Sequence, residues 1–408
     1  MKKSLYTLLF ATGLATSVSA QGFQVNFQGQ KQQGTGCAGS ADYVDGSTLF
    51  FNPGATAFAK ESSANVAMTP VFANIMYVDS ATGGVYRSNS PMGTPFSAYA
   101  LLHFEKLPSL NFGLAAYTPF GSVVSYEDNW IGRFAITRLQ LQAIFIQPTV
   151  SYKINDKLGI GAGFVYSTGK VNLRRDLPVQ FEDGSFGKVE LGGAAVGFGY
   201  NVGLSFKATD KFSVGLTYRS KVQMSLDGGT ATFTMPEALA ENFPNTSFAG
   251  SLPLPSVATL GLSYKFSDKL SAVLDVNYVG WKAYDTLAFD YEINTASLED
   301  TKSARDYKNI VAFRGGVNYN LNENLTLRGG AGFGFTPVQD GYVTPETPDN
   351  NRLYGTLGVG YKVGKHFEFD ASFYYAKIKR ADTNAETNLS GTFTTIGIAP
   401  GFALIYKW

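Results

Sequence analysis

The chain has 408 residues, with 33 lysines and arginines against 32 aspartates and glutamates, 45 glycines and one cysteine, Cys37. That balance offers no electrostatic footing for a nucleic-acid partner, and a lone cysteine cannot form an internal disulfide. Past the N-terminus no run of about 18 apolar residues occurs, which excludes transmembrane helices.

The first element is MKKSLYTLLFATGLATSVSAQ, in which Lys2 and Lys3 precede an apolar stretch and small residues close it at Ser19 and Ala20. This reads as a secretory signal peptide over 1–20, too short in its apolar part to be a membrane anchor. Cys37 lies far beyond that stretch, which argues against a lipoprotein.

Residues 21–61 come next and contain GFQVNFQGQ and STLFFNPGATAFA. They are too apolar for a disordered tail and too rich in glycine for a continuous helix. The first long strand is expected near Asn65 to Val78.

From there a short pattern recurs: an aromatic residue, a polar turn and an alternating strand, as in SYKINDKLGIGAGF (151–164), SFKATDKFSVGLTY (205–218), SYKFSDKLSAVLDV (263–276), NYNLNENLTLRGGA (318–331) and GYKVGKHFEFDASF (360–373). LHFEKLPSLNFGLA (102–115) is a degenerate sixth copy. These are hairpins with tight turns, at unequal spacings of about 40 to 60 residues that a fixed-repeat solenoid would not tolerate. The polar stretches between them, 171–190, 227–253, 283–306 and 336–350, read as long loops. Short turns facing long loops are the asymmetry of outer-membrane barrels, and six such turns with both chain ends on the turn side give 14 strands.

The faces separate a barrel from a soluble sandwich. Phe367, Phe369, Ala371, Phe373 and Tyr375 share one face, and Glu368, Asp370 and Ser372 the other. Leu270, Ala272, Leu274, Val276 and Tyr278 alternate in the same way with Ser271, Asp275 and Asn277. Apolar faces spanning about ten residues and tipped with aromatics suit a lipid-facing band with girdles. The last strand, TTIGIAPGFALIYKW, ends at Trp408, as expected of a strand read by the barrel-assembly machinery. The expected fold is therefore all-β: a 14-stranded antiparallel transmembrane β-barrel over 62–408. A barrel this wide leaves an aqueous lumen unless something fills it, so residues 21–61 are read as an N-terminal hatch inside it.

The mature N-terminus GFQVNFQGQ, the DGSTLFFNPGATAFA stretch, YTPFGS at 117–122, NWIGRF at 129–134 and QPTVSYKINDKLGIGAGF at 147–164 together resemble the FadL-type outer-membrane transporters of long-chain fatty acids and related hydrophobic compounds. The resemblance runs in order through essentially the whole mature chain. It implies a plugged 14-stranded barrel that passes apolar molecules by diffusion. The family's hatch carries Asn-Pro-Ala, which Asn52 and Pro53 match, whereas Gly54 departs from it and is expected to loosen the hatch. It also implies a kinked third strand opening the wall sideways. By chain order that strand is 110–119, with Tyr117, Pro119, Phe120 and Gly121 at the break, since proline removes a ladder donor.

Capture of a fatty acid calls for a greasy site, for which Phe23, Phe50, Phe51 and Phe120 are candidates; the alternative is that they only pack the plug to the wall. A carboxylate calls for cations, and Arg133, Arg138, Arg314 and Arg328 are candidates. Arg314 and Arg328 can instead pair with Asp275, Glu368 and Asp370, and Arg133 and Arg138 can be solvated loop charges. The two histidines, His103 and His366, sit beside short turns and form no constellation for acid–base or nucleophilic chemistry. No enzyme activity, catalytic residue, metal site or cofactor is expected. The expected partners are a hydrophobic small molecule and outer-membrane lipid, with the protein acting as a monomer. The competing reading is a general diffusion porin or a structural outer-membrane protein.

Overall fold

The structure, a computed structural model, describes residues 22–408, so the signal peptide expected at 1–20 lies outside the described residues. Fourteen antiparallel strands form one closed wall. The first is split into Ser63–Met68 and Phe72–Asp79, and the second into Val85–Arg87 and Phe96–His103. The third to sixth are Leu110–Ser125, Arg138–Lys153, Leu158–Gln180 and Phe186–Lys207. The seventh to tenth are each split again: Phe212–Arg219 with Val222–Thr234, Thr246–Leu254 with Val257–Lys265, Leu270–Val279 with Thr286–Tyr291, and Thr301–Ala304 with Ile310–Asn320. Leu325–Gly334, Arg352–Val363, Phe367–Thr383 and Ser390–Lys407 complete the wall. Both halves of the first strand pair with the last, Ser63 opposite Lys407 and Phe72 opposite Ile398, so the sheet closes without an edge.

Alternation puts the oily side outward: Phe369 is 50% exposed and Asp370 beside it 3%. The polar stretches at 171–190, 227–253 and 283–306 differ from expectation. Strand runs through most of 171–190, where the fifth and sixth strands keep their ladder as far as Leu177 opposite Gly187, and enters the other two at 227–234 and 246–253 and at 286–291 and 301–304. Ladder bonds are made by the backbone and persist above the bilayer, where side chains are free to be polar. The stretch at 336–350 is irregular and folds inward, burying Val338 and Val343.

The chain from Gly22 to the first strand lies inside the cylinder. It holds only short helical pieces, Gln30–Gly34, Thr48–Phe51 and Ala55–Phe58. Its backbone rests on inward glycines of the wall: Pro53 and Gly54 against Gly161 and Gly203, Ser40 against Gly215, and Thr35 and Gly36 against Gly316 and Gly330. A β-carbon on Gly54 would lie 2.5 Å from the Gly203 carbonyl oxygen. The missing methyl therefore gives close contact at this position rather than the slack expected from sequence. Asn52 reinforces the seat, its side-chain amide donating to the carbonyls of Ser40 and Leu204.

Charge fixes the same body to the wall. Lys31 lies 2.9 Å from Glu368 and 3.5 Å from Asp45, and Arg328 bonds Asp370 at 2.5 Å. Burial pulls the Lys31 ammonium down, but the carboxylates of Asp45, Asp370 and Glu368 more than offset it and leave its pKa above the ordinary lysine value. Asp275 accepts the backbone N–H of Gly39 and the hydroxyl of Ser40.

Candidate functional site

Three neighbouring wall strands are interrupted side by side. The first breaks at 69–71, around Pro70, and the second at 88–95. The third slips register between Tyr117 and Phe120, leaving Thr118 and Pro119 out of the ladder with the fourth strand. Pro119 has no N–H to donate, and the polar groups freed around it need other partners. The leading segment of the hatch supplies them. Val25 N–H donates to the Pro119 carbonyl at 2.8 Å, Gly121 N–H to the Phe23 carbonyl at 3.1 Å, and the Gln28 amide to the Thr118 carbonyl at 3.0 Å.

Cavities lie on both sides of this segment. An inner cavity of about 510 Å³ runs from the hatch to the wall break and includes Pro91, Gly93, Thr118 and Phe120 in its lining, with Arg352 and Asp349 across from them. An outer pocket of about 90 Å³ is lined almost wholly by apolar side chains such as Leu141, Met224, Leu252 and Phe289. Phe23 walls both. Its ring packs edge-on against Trp281 and Tyr284, with centroids 4.9 and 5.5 Å away, and against Phe120 at 6.1 Å. A third, more polar cavity of about 230 Å³ borders the outer pocket through Leu173, Leu287 and Phe289 and carries Arg175 and Arg305. A plugged barrel with an apolar pocket above the plug and a gap in its wall below suits passage of greasy molecules.

The family model for outer membrane protein transport protein (OMPP1/FadL/TodX) matches residues 11–406. The chain belongs to this family. As a member it is an outer-membrane transporter of hydrophobic compounds, not an enzyme. A crystal structure of a Pseudomonas aeruginosa FadL homologue has the same fold, with a TM-score of 0.82 at 20% identity over 94% of this chain and 99% of that one. The Ralstonia pickettii toluene transporter TbuX aligns with a TM-score of 0.73 at 18% identity, covering 93% and 98%. In sequence, the long-chain fatty acid transport protein of Escherichia coli K12 is 20% identical over 92% of each chain.

In this FadL-type barrel the sequence candidates fall into separate groups. Phe23 and Phe120 meet at the boundary of the cavities. Phe50 is buried against Tyr117 and Phe51 against Phe50, and neither lines any of the three; the Arg219 guanidinium lies 3.8 Å over the Phe50 ring and donates to the Phe50 carbonyl. Asn52, Pro53 and Gly54 sit on the wall glycines instead of in a pocket. Tyr117 donates to Gln147 at 2.6 Å below the bulge. Among the arginines, Arg138 borders the inner cavity, and Arg133 lies 3.8 Å from Asp176 and over the paired rings of Phe134 and Phe186. Arg328 is engaged by Asp370, and Arg314 stands opposite Asp275 in the ladder.

Sequence reasoning missed Arg352, Asp349, Arg305 and Glu346. Asp349 accepts Gly22 N–H at 3.1 Å and the Thr336 hydroxyl at 2.9 Å. Burial pushes its carboxyl up to about 6, against the lowering pull of Arg352. Arg352 lines the inner cavity with its Nε unpartnered among the described residues.

Proposed function

We propose that this transporter takes up long-chain fatty acids, seating one end of the chain in the outer pocket, passing it by Phe23 into the inner cavity and releasing it sideways into the membrane through the breaks in strands one to three. In this reading residues 1–20 are removed on export, 21–61 act as the hatch and 62–408 as the wall. The protein works as a monomer, assembled from the strand that ends at Trp408. The observation that carries the reading is the place of Phe23: one hatch ring separates an apolar pocket from a cavity that reaches the broken wall. Movement of the leading segment then joins capture to release. Burial of a methylene stabilises by about 0.8 kcal/mol, ample for capture of a long chain. The unpartnered Arg352 Nε supports a carboxylate in the inner cavity.

A second reading, uptake of single-ring aromatic hydrocarbons, is favoured by the small volume and aromatic lining of the outer pocket and by the likeness to a toluene transporter. Mass spectrometry of the small molecule that co-purifies from detergent separates the two. Palmitate titration of Phe23→Ala and Phe51→Ala then tests the route. The first is expected to lose at least about tenfold in affinity, the equivalent of 1.4 kcal/mol, and the second to bind as the parent does. Equal affinities for parent and Phe23→Ala would remove Phe23 from the path.

A further inference from the structure

Glu346 borders all three cavities described above. It sits on the inward-folded stretch between the eleventh and twelfth strands. Residues 340–343 of that stretch are pinned, Arg380 donating to Asp340, the Gly341 and Val343 N–H groups to Asp382, and Asn384 to the Val343 carbonyl, whereas the ties of residues 345–349 to other elements are few. Tyr126 donates its hydroxyl to the Pro345 carbonyl at 3.0 Å, the Tyr307 hydroxyl meets Thr347 at 3.2 Å, and Asp349 holds Gly22 of the hatch. The ionic partner of Glu346 is Arg305, with Nη2 3.7 Å from the carboxylate oxygen. Both side chains are close to nine-tenths buried. The separation is well beyond the 2.7–2.9 Å of a closed charge-assisted hydrogen bond, so this cation is neutralised without being saturated. Its remaining ties are Nη1 donating to Ser303 at 2.9 Å and Nε donating to the Tyr284 hydroxyl at 3.4 Å. Tyr284 in turn packs against Phe23 and lines the apolar pocket.

We propose that Arg305 and Glu346 form a displaceable ion pair: the carboxylate of an incoming amphiphile takes the place of Glu346 on Arg305 and loosens residues 345–349, which hold the hatch through Asp349. The inference rests on the uptake reading above and adds the group that senses the head and the link from head to hatch. An exchange of one carboxylate for another leaves the buried guanidinium paired throughout, and the released Glu346 carboxylate has the inner cavity, which it also borders and which is large enough to hold water, to turn into. The tail, reaching through Leu287 and Phe289 into the outer pocket, supplies the driving force. Glu346 then turns away, and Asp349, three residues on, is the point where the change reaches Gly22. A neutral apolar molecule of the same length fills the pocket but has no group with which to displace Glu346. A ligand shifts such an equilibrium only by its differential affinity for the two arrangements, and here that difference is the charge of the head.

The test compares palmitate with hexadecanol, of equal chain length, on the purified full chain. Arg305→Gln is expected to weaken palmitate at least about tenfold while leaving hexadecanol unchanged, the loss typical of a hydrogen bond to a charged group. Glu346→Gln, which removes the competing anion, is expected to tighten palmitate and leave hexadecanol unchanged. Saturating palmitate should speed amide exchange at residues 22–25 in the parent and fail to do so in Arg305→Gln. Heat-modifiable migration on a gel verifies the folded barrel. Arg305→Lys, which keeps the charge, should retain the preference for palmitate over hexadecanol. Equal losses for both ligands in Arg305→Gln, or palmitate affinity unchanged in both variants, overturn the exchange while leaving uptake standing. Failure of the parent to bind either ligand overturns the uptake reading and this one with it.

Discussion

The two parts of the hatch are held in different ways. The body, from about residue 29 to 58, rests on wall glycines at backbone contact and is tied by Lys31 to Glu368 and by Asp275 to Ser40. The leading segment, 22–28, has no such seat: it is held by hydrogen bonds to an irregular bulge, to Asp349 and from Tyr99 and by ring packing of Phe23 and Phe27, with cavities beside it. Local opening takes place where buried contacts are few, so the body works as a fixed stopper and the leading segment as its moving part. A transporter built this way need not expel its plug to pass a ligand.

The comparison is broken most severely by removing the charge that locks the body. Lys31→Met leaves Asp45, Glu368 and Asp370 facing one another without it, a loss of about 3–5 kcal/mol for a buried pair. The expected result is a sharp fall in thermal stability of the hatch and a rise in single-channel conductance in planar bilayers; unchanged conductance would place the lock elsewhere. A smaller effect is expected from Gly161→Val, whose side chain would overlap the Pro53 carbonyl. Overpacking of this kind costs about 1–3 kcal/mol, and it should admit small sugars in a liposome-swelling assay while palmitate affinity at the outer pocket is retained.

The smallest effect concerns pH and the leading segment alone. The Asp349 carboxyl is raised to about 6, above the ordinary carboxylate range. A group raised on folding contributes stability that is full below its unfolded pKa, about 3.9, and is lost as pH climbs through about 6. Amide protection of residues 22–25 should therefore decline between pH 4 and pH 7 in the parent. Asp349→Asn, which cannot titrate, should flatten that slope.

Much of the wall is legible in the sequence because lipid imposes a period of two on every strand: Phe367 to Tyr375 announces its outer face, and the register follows. The presence of a hatch is legible because 21–61 is more apolar than a free tail and longer than closure requires. The site is far less so. Arg305, Glu346 and Asp349 lie on irregular chain that folds inward, and no periodicity marks the direction of such a stretch. Phe50 and Phe51 look like pocket residues by composition but belong to the seat, since the same greasy rings serve packing and binding equally well. The inward glycines are visible as a polar-face pattern, yet their purpose needs the second chain segment that lies on them.

The seam between the first and last strands carries a consequence for biogenesis. Ser63 meets Lys407 across nearly the whole polypeptide, and contacts so distant in sequence form slowly. Until the final strand zips shut the N-terminal stopper can reach its glycine seats from the side, and afterwards only through the ends of the cylinder. Encapsulation and closure are thus expected to be coupled late steps, and a fault in either leaves an unsealed cylinder.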